Sequence, residues 1–418
     1  MKLRNEVFLI LLETLNKYDY CFLRNYEILP EYNNDIDILV KNGTTNEILK
    51  NLIEELQAEE VVFVYEAQFS CLSTYFYDLK TDQFIHLDFF EEIKWKVFEY
   101  LPANEVLKNR VKYNYYYIPS PYYEMYELLL TRLLYHGRIK DVYKDRIFKL
   151  YNRIISEITF NNKIKFGDKI ASQSWDKIEK KITQIRARII ICNILKPIKL
   201  SKHIILLLQR IIKRLIKPPG LFIAFYGVDG SGKTTQIKLM LDYFKGIYSD
   251  KVRLFHFRPN FIYTKPKDII VKNPHNQLKT NYIRSFLKLL YYVLVYNWGY
   301  LTQVLPIIAK NGLVIFDRYY FDLLIDPIRY RTIIPKLFIK ICGIFVPKPD
   351  INICLIANAQ IINERKNEIN LIEIEEQQKR IKEFFCNDND YLVKSDIEIL
   401  KTAEQIKQII IKNVRKKN

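Results

Sequence analysis

Glycine is scarce in this chain, at 11 residues of 418. A cluster of glycines therefore marks a local requirement and is not a by-product of composition. Cysteine is limited to six, at Cys21, Cys71, Cys192, Cys342, Cys354 and Cys386, with no CxxC pair. Thiols so scattered argue against a disulfide framework and suit a reducing cytoplasm. No internal repeat and no low-complexity tract is present, which sets aside repeat architectures. No secretory signal is expected either. Lys2 and Arg4 lead into LLETLNKYDY, which carries charge inside it.

Acidic residues are missing from one region in particular. Residues 101–220 hold 9 Asp and Glu against 25 Lys and Arg, whereas residues 1–100 hold 19 against 9. The net charge of +18 is thus concentrated in the middle and the end. A basic middle attracts nucleic acid, an anionic membrane surface or anionic substrates. The acidic first domain speaks against nucleic acid as a partner.

With 49% hydrophobic residues the chain can bury sizeable cores, and its length calls for at least two domains. Three segments emerge. Residues 1–118 mix a first helix, Val7 to Leu15, with short strands. Residues 119–217 are a basic connecting region, mostly helical by period. Pro218-Pro219-Gly220 breaks the chain, and residues 218–418 then alternate strands and helices. Leu289 to Ala309 runs 21 residues without a charge, but contains Asn297, Thr302, Gln303 and Pro306. It reads as a buried helix and not as a membrane span. From Lys202 to Lys217, apolar residues at Ile204, Ile205, Leu208, Ile211, Ile212 and Leu215 recur at helical spacing beside Lys202, Arg210, Lys213, Arg214 and Lys217. A basic amphipathic helix of this kind can lie on an anionic membrane. The simpler expectation is a connecting helix whose apolar stripe packs on a domain.

The glycines gather where chemistry is expected. Gly227 to Thr235 reads GVDGSGKTT, directly after the apolar run Leu221 to Phe225 and before a helical pattern at Ile237, Leu239, Met240 and Leu241. Strand, glycine-rich loop and helix start come in the order of a phosphate-binding P-loop. Gly227, Gly230 and Gly232 let backbone N–H groups turn inward, and the helix adds its dipole. Asp229, Ser231 and Thr235 complete the candidate ATP site. Lys233 is placed to reach the β/γ-phosphates, and Thr234 to ligate Mg²⁺. A second cue is Leu313 to Tyr319, LVIFDRY, a strand that ends in Asp317-Arg318. Ligands bind at the carboxyl ends of such strands. An aspartate there can hold Mg²⁺ or orient an acceptor oxygen, and an arginine can clamp a phosphate. The strand Ile351 to Ile356 precedes a helix with Arg365, Lys366 and Glu368, candidates for a lid over the transferred phosphate. Arg258, after the strand Val252 to Phe257, is a weaker candidate clamp.

FYGVDGSGKTT, Phe257-Arg258-Pro259, FDRYY and the basic lid follow one another in a way that resembles thymidylate kinase-like enzymes, over residues 221–418. The resemblance implies an α/β fold, a P-loop parallel sheet with flanking helices as in nucleoside monophosphate kinases. It implies ATP- and Mg²⁺-dependent phosphoryl transfer, with Lys233 and Thr234 on ATP and Mg²⁺, Asp229 and Asp317 near the acceptor, and Arg258 and Arg318 on the acceptor's phosphate. Arg365 and Lys366 are implied as lid cations. After Asp-Arg-Tyr, thymidylate kinases carry a serine and then a Gln-Gly stretch. Here the chain runs YFDLLIDPIRYR, and the acceptor stays open.

In the first segment Asp35 and Asp37 alternate with Ile36, Ile38 and Val40, which puts the two acids on one strand face. Asp88 lies in a second strand, Phe84 to Phe89. Two carboxylates at i,i+2 with a third from a neighbouring strand form a metal cradle suited to Mg²⁺. This segment resembles a small α+β nucleotidyltransferase of the DNA polymerase β type. The Gly-Ser of that family is absent from LRNYEILPEYNN. The plain alternative is an edge strand with solvated acids and His86 as an ordinary strand histidine.

The leading expectation is a cytoplasmic small-molecule kinase acting on a nucleoside monophosphate or a sugar- or polyol-type acceptor, fused to a nucleotidyltransferase-like domain and serving surface-polysaccharide precursors. The alternatives are a thymidylate kinase with a degenerate first domain, and an ATP-gated regulator without turnover. ATP and a small-molecule acceptor are the expected partners, with a homodimer and peripheral contact between residues 202–217 and the inner face of the membrane as further expectations.

Overall fold

The computed structural model describes residues 2–29, 35–56, 61–67, 71–78, 84–156, 164–248, 251–259, 281–331, 333–366 and 370–417. The chain divides into two compact units, Met1–Ile211 and Ile212–Asn418.

In the first unit, strands β1 (Tyr20–Phe22), β2 (Ile36–Val40), β3 (Val61–Ala67), β4 (Leu72–Asp78) and β5 (Phe84–Phe90) form one sheet in the order β1-β2-β5-β4-β3. β2 and β5 run parallel, with Asp37 beside Asp88, and the other pairs are antiparallel. β2 is therefore an inner strand, and all five of its residues are buried. This removes the edge-strand alternative for Asp37. Ile36, Ile38 and Val40 pack under the helices Lys2–Leu15 and Thr45–Glu55. The opposite face carries Leu39 into a second core, shared with the helices Pro121–His136 and Asp141–Ser156. Helical residues up to Ile178 thus share a core with the sheet, where the sequence suggests a separate connecting region. The helix Pro121–His136 starts on a proline at N1 and ends at Gly137, in the left-handed region at φ 74°, whose N–H bonds Leu133 O.

The second unit is built on five parallel strands: β10 (Leu221–Gly227), β11 (Val252–His256), β12 (Leu313–Asp317), β13 (Ile351–Ile356) and β14 (Asp390–Lys394). Their order is β11-β12-β10-β13-β14. Strands β6 to β9 (Ile93–Trp95, Phe98–Leu101, Val111–Tyr113, Tyr116–Ile118) are short hairpin strands of the first unit. β10 is buried throughout, as a strand covered on both faces must be, which explains its unbroken apolar run. It lies at the centre of the sheet, between β12 and β13, so its carboxyl end faces a crevice between connections running to either side.

Leu289 to Ala309 is not one buried helix. A helix Tyr282–Gly299 gives way to a π-turn, Tyr300–Val304, and a short helix, Leu305–Ile308. Leu289, Tyr292 and Tyr296 are buried on one side, whereas Leu294 and Trp298 are exposed. No helix among the described residues is long and apolar enough to cross a membrane.

β10 begins at a close approach. Gly220 N–H bonds Ile308 O at 2.8 Å, and a Cβ on Gly220 would meet Gly312 O and lie 2.7 Å from Ile308 Cα. Backbone on both sides cannot yield as a side-chain tip can. Gly220→Ala should cost about 1–3 kcal/mol, as overpacking does. A fall in Tm of roughly 2–4 °C per kcal/mol should be seen by calorimetry. An unchanged Tm would show that the β10 entrance is looser than its contacts indicate.

Candidate functional site

The loop after β10 has the geometry its glycines predict. Gly227, Gly230 and Gly232 have φ of 150°, 91° and 89°, values a side chain makes unfavourable. A Cβ on Gly227 would also meet Ser231 Oγ at 2.6 Å and Leu355 O at 2.9 Å. The helix Lys233–Tyr248 starts at the loop's end, and Gln236 N–H bonds Gly232 O in its first turn. Thr234 and Thr235 are exposed at this end, while Ser231 is buried. Lys233 is buried, and its ammonium donates to Gly227 O at 2.7 Å and Val228 O at 2.9 Å, with Asp229 at 3.7 Å. Burial pushes its pKa down to about 8, helped by Arg318 and opposed by Asp229.

Asp317 and Arg318 arrive from β12, next to β10. Arg318 is buried and stands at φ 70°, a strained position for a side chain of its size. One end of its guanidinium binds the Asp229 carboxylate. The other donates to Asp322 at 2.8 Å, which also accepts from the Tyr330 hydroxyl at 2.6 Å. Arg329 reaches the second oxygen of Asp229 at 2.8 Å. Burial would raise the Asp229 pKa, but Arg318, Lys233 and Arg329 outweigh it and hold the carboxyl well below its ordinary range. Asp317 lies 3.4 Å from His256 Nδ1 through one oxygen, while its Oδ1 is buried with no hydrogen-bond partner among the described residues. A buried acceptor left in this state suits a group that arrives with a ligand.

Asp229, Lys233, His256, Asp317, Arg318 and Arg329 line one cleft of about 560 Å³, together with Gly230, Gly232, Thr234, Thr235, Arg365, Lys366 and Thr402. Arg365 donates to Ser395 O at 3.2 Å. Glu368, expected beside the lid cations, lies outside the described residues. Arg258 is placed elsewhere. Its guanidinium sits over the rings of Tyr291 and Tyr292, 5.7 and 5.6 Å from their centroids, and it is not among the residues lining the cleft. Two cleft residues escape a motif-based reading. Arg329 lies 100 residues from Asp229 in the chain. His256 reaches Asp317 only because β11 pairs in register with β12. The one local hint for Arg329 is its place in the charged run after Asp-Arg-Tyr.

The acids of the first unit also converge. Asp35, Asp37 and Asp88 each offer a carboxylate oxygen within 4.8 Å of the others. Their oxygens are not idle, however. Arg24 takes both oxygens of Asp37, at 2.5 and 2.9 Å. Ser73 donates to Asp88 Oδ1 at 2.5 Å, and His86 Nε2 lies 3.0 Å from the same atom. His86 is therefore tied to the cluster, and its ring stacks on Tyr75 at 4.2 Å. Burial pushes Asp37 up to about 6 against the pull of Arg24, and Asp35 and Asp88 add repulsion. Burial would raise Asp88 too, but His86 and Ser73 bring it below its usual range. An all-oxygen donor set of this size fits a hard divalent cation, although Arg24 already supplies positive charge at Asp37.

Comparison with known proteins bears on the second unit. The family model described as Thymidylate kinase matches residues 225–412. A thymidylate kinase of Wolbachia pipientis wMel is 33% identical over 102 residues, 24% of this chain and 47% of that protein. One of Ehrlichia ruminantium (strain Gardel) is 28% identical over 100 residues, 24% of this chain and 46% of that protein. The chain thus spans about half the length of the curated relatives it matches. A crystal structure of thymidylate kinase from Ehrlichia chaffeensis is similar at 19% identity over 46% of this chain and 98% of that one, with a TM-score of 0.32, too low to argue from. The family match falls on the residues that carry the P-loop and the parallel sheet, and this segment is similar to thymidylate kinases there.

Proposed function

We propose that the second unit phosphorylates a nucleoside monophosphate with ATP and Mg²⁺, and that dTMP is the first acceptor to test. The observation that carries this reading is the Asp229 carboxylate held between Arg318 and Arg329, beside Lys233, in one cleft. The matched relatives are thymidylate kinases, which favours a nucleotide acceptor over the sugar or polyol that the pairing of domains suggests. The P-loop N–H groups and Lys233 would cradle the ATP phosphates. Thr234 would ligate Mg²⁺, which neutralises charge on the phosphate oxygens. Arg318 and Arg329 would meet the acceptor's phosphate, and the spare Asp317 oxygen would orient the attacking group or a metal-bound water. Arg365 and Lys366 would offset charge on the transferred phosphoryl group. Asp322 and Asp326 are buried beside the two arginines and act as their supports.

Purified protein incubated with ATP, Mg²⁺ and dTMP should release ADP, and Lys233→Ala should lower that rate by on the order of 10²-fold or more. Arg318→Ala should raise the acceptor KM or lower kcat far more than it weakens ATP binding. Tight ATP binding with no turnover on any nucleoside monophosphate would overturn the kinase reading in favour of an ATP-gated regulator. Turnover on a sugar phosphate alone would overturn the choice of acceptor.

Proton linkage gives an independent measurement. A triphosphate favours the ammonium form of Lys233, which is partly neutral above its pKa of about 8. ATP binding should therefore take up protons, more at pH 8.5 than at pH 7.5. Calorimetry in buffers of different ionisation enthalpy reads this directly. Proton release at pH 8.5, or no exchange, would contradict the buried position of Lys233.

A second reading concerns the acidic cluster of the first unit. The convergence of Asp35, Asp37 and Asp88 and the parallel pairing of β2 with β5 support a divalent cation site in a nucleotidyltransferase-like domain. The engagement of Asp37 by Arg24 weighs against strong binding there. Mn²⁺ titrated into the full chain should bind at this cluster, and Asp35→Asn should weaken it roughly tenfold, a typical loss for one ligand group. Arg24→Ala should strengthen it. Failure of the wild type to bind Mn²⁺ would leave the cluster as an internal ion-pair network.

A further inference from the structure

The helix Pro197–Ile216 is packed the wrong way round for an ordinary amphipathic helix. Such helices bury the apolar stripe and leave the charged side in water. Here the buried residue is His203, at 6% exposure. Its Nδ1 lies 3.0 Å from Val97 O and its Nε2 3.1 Å from Glu92 Oε1. On the same side Lys199 donates to Glu99 at 2.8 Å. The helix thus docks through its polar side. The apolar stripe expected to pack on a domain faces outward. Ile204, Ile205, Leu208, Ile211, Ile212 and Leu215 are 41 to 54% exposed. At 3.6 residues per turn they share an arc of roughly 120° along about 17 Å of helix.

Charge decides what covers this stripe. Residues 180–228 contain no aspartate or glutamate, and residues 196–217 carry seven Lys and Arg. A second copy of the same helix would bring two sets of cations together with no acid in the stretch to pair them. An anionic bilayer supplies both missing components, acyl chains for the stripe and negative headgroups for the flanking cations. The helix is suited to lie in the interface, since no described helix can span a membrane.

We propose that Pro197–Ile216 is a peripheral membrane-docking helix that binds anionic lipid surfaces through its outward apolar stripe, with Lys202 and Lys213, next round the helix from the stripe, at the headgroups. Full-chain protein should co-sediment with vesicles of phosphatidylcholine and phosphatidylglycerol in equal parts, and not with pure phosphatidylcholine. Leu208→Glu with Ile212→Glu should reduce binding roughly tenfold or more by placing two charges in the apolar stripe. Both positions are exposed, so circular dichroism and ATP-analogue binding should be unchanged. Lys202→Glu with Lys213→Glu should weaken binding and its dependence on salt. Four outcomes would overturn the proposal. The first three are no binding to the anionic vesicles, binding that survives the double glutamate variant, and a solution dimer that the same variant splits in a protein that ignores lipid. Tighter binding to duplex DNA than to the vesicles would also overturn it.

Discussion

The Asp229 carboxylate is the point on which the second unit's chemistry depends. It sits inside the P-loop, yet its partners come from far along the chain. Arg318 follows β12, and Arg329 follows the segment that Asp322 and Asp326 support. One half-buried negative charge bonds two guanidiniums and lies 3.7 Å from the Lys233 ammonium. Its loss would remove the charge that all three cations share in a poorly solvated cleft. The left-handed backbone at Arg318 is the local strain that accompanies this arrangement.

The sheet makes that meeting possible. β10 is central, so the P-loop opens between β12 on one side and β13 on the other. In-register pairing brings His256 to Asp317 on one flank, and Arg365 follows β13 on the other. The P-loop and the cations around it are thus brought together by strand order.

The first unit places its acids by the same logic and to a different end. Parallel pairing of β2 with β5 puts Asp37 beside Asp88. Arg24 takes both oxygens of Asp37, and Ser73 and His86 share one oxygen of Asp88.

Features carried by short-range geometry were legible in the sequence. The left-handed glycines at 227, 230 and 232, the Lys233 at a helix start, and Asp317-Arg318 at a strand end need only local backbone rules. So does the alternation that puts Asp35 and Asp37 on one face. What depends on which elements become neighbours was decided by the tertiary structure. Arg329 and Arg24 complete their clusters across gaps in the chain, and nothing in their local sequence names a partner. Arg258 follows a strand as expected, but the rings of Tyr291 and Tyr292 hold it. The helix Pro197–Ile216 shows the same division. Its period foretells an apolar stripe and a basic side, but only packing decides which side is buried. Ion pairs and hydrogen bonds from Glu92, Glu99 and Val97 drew the polar side inward.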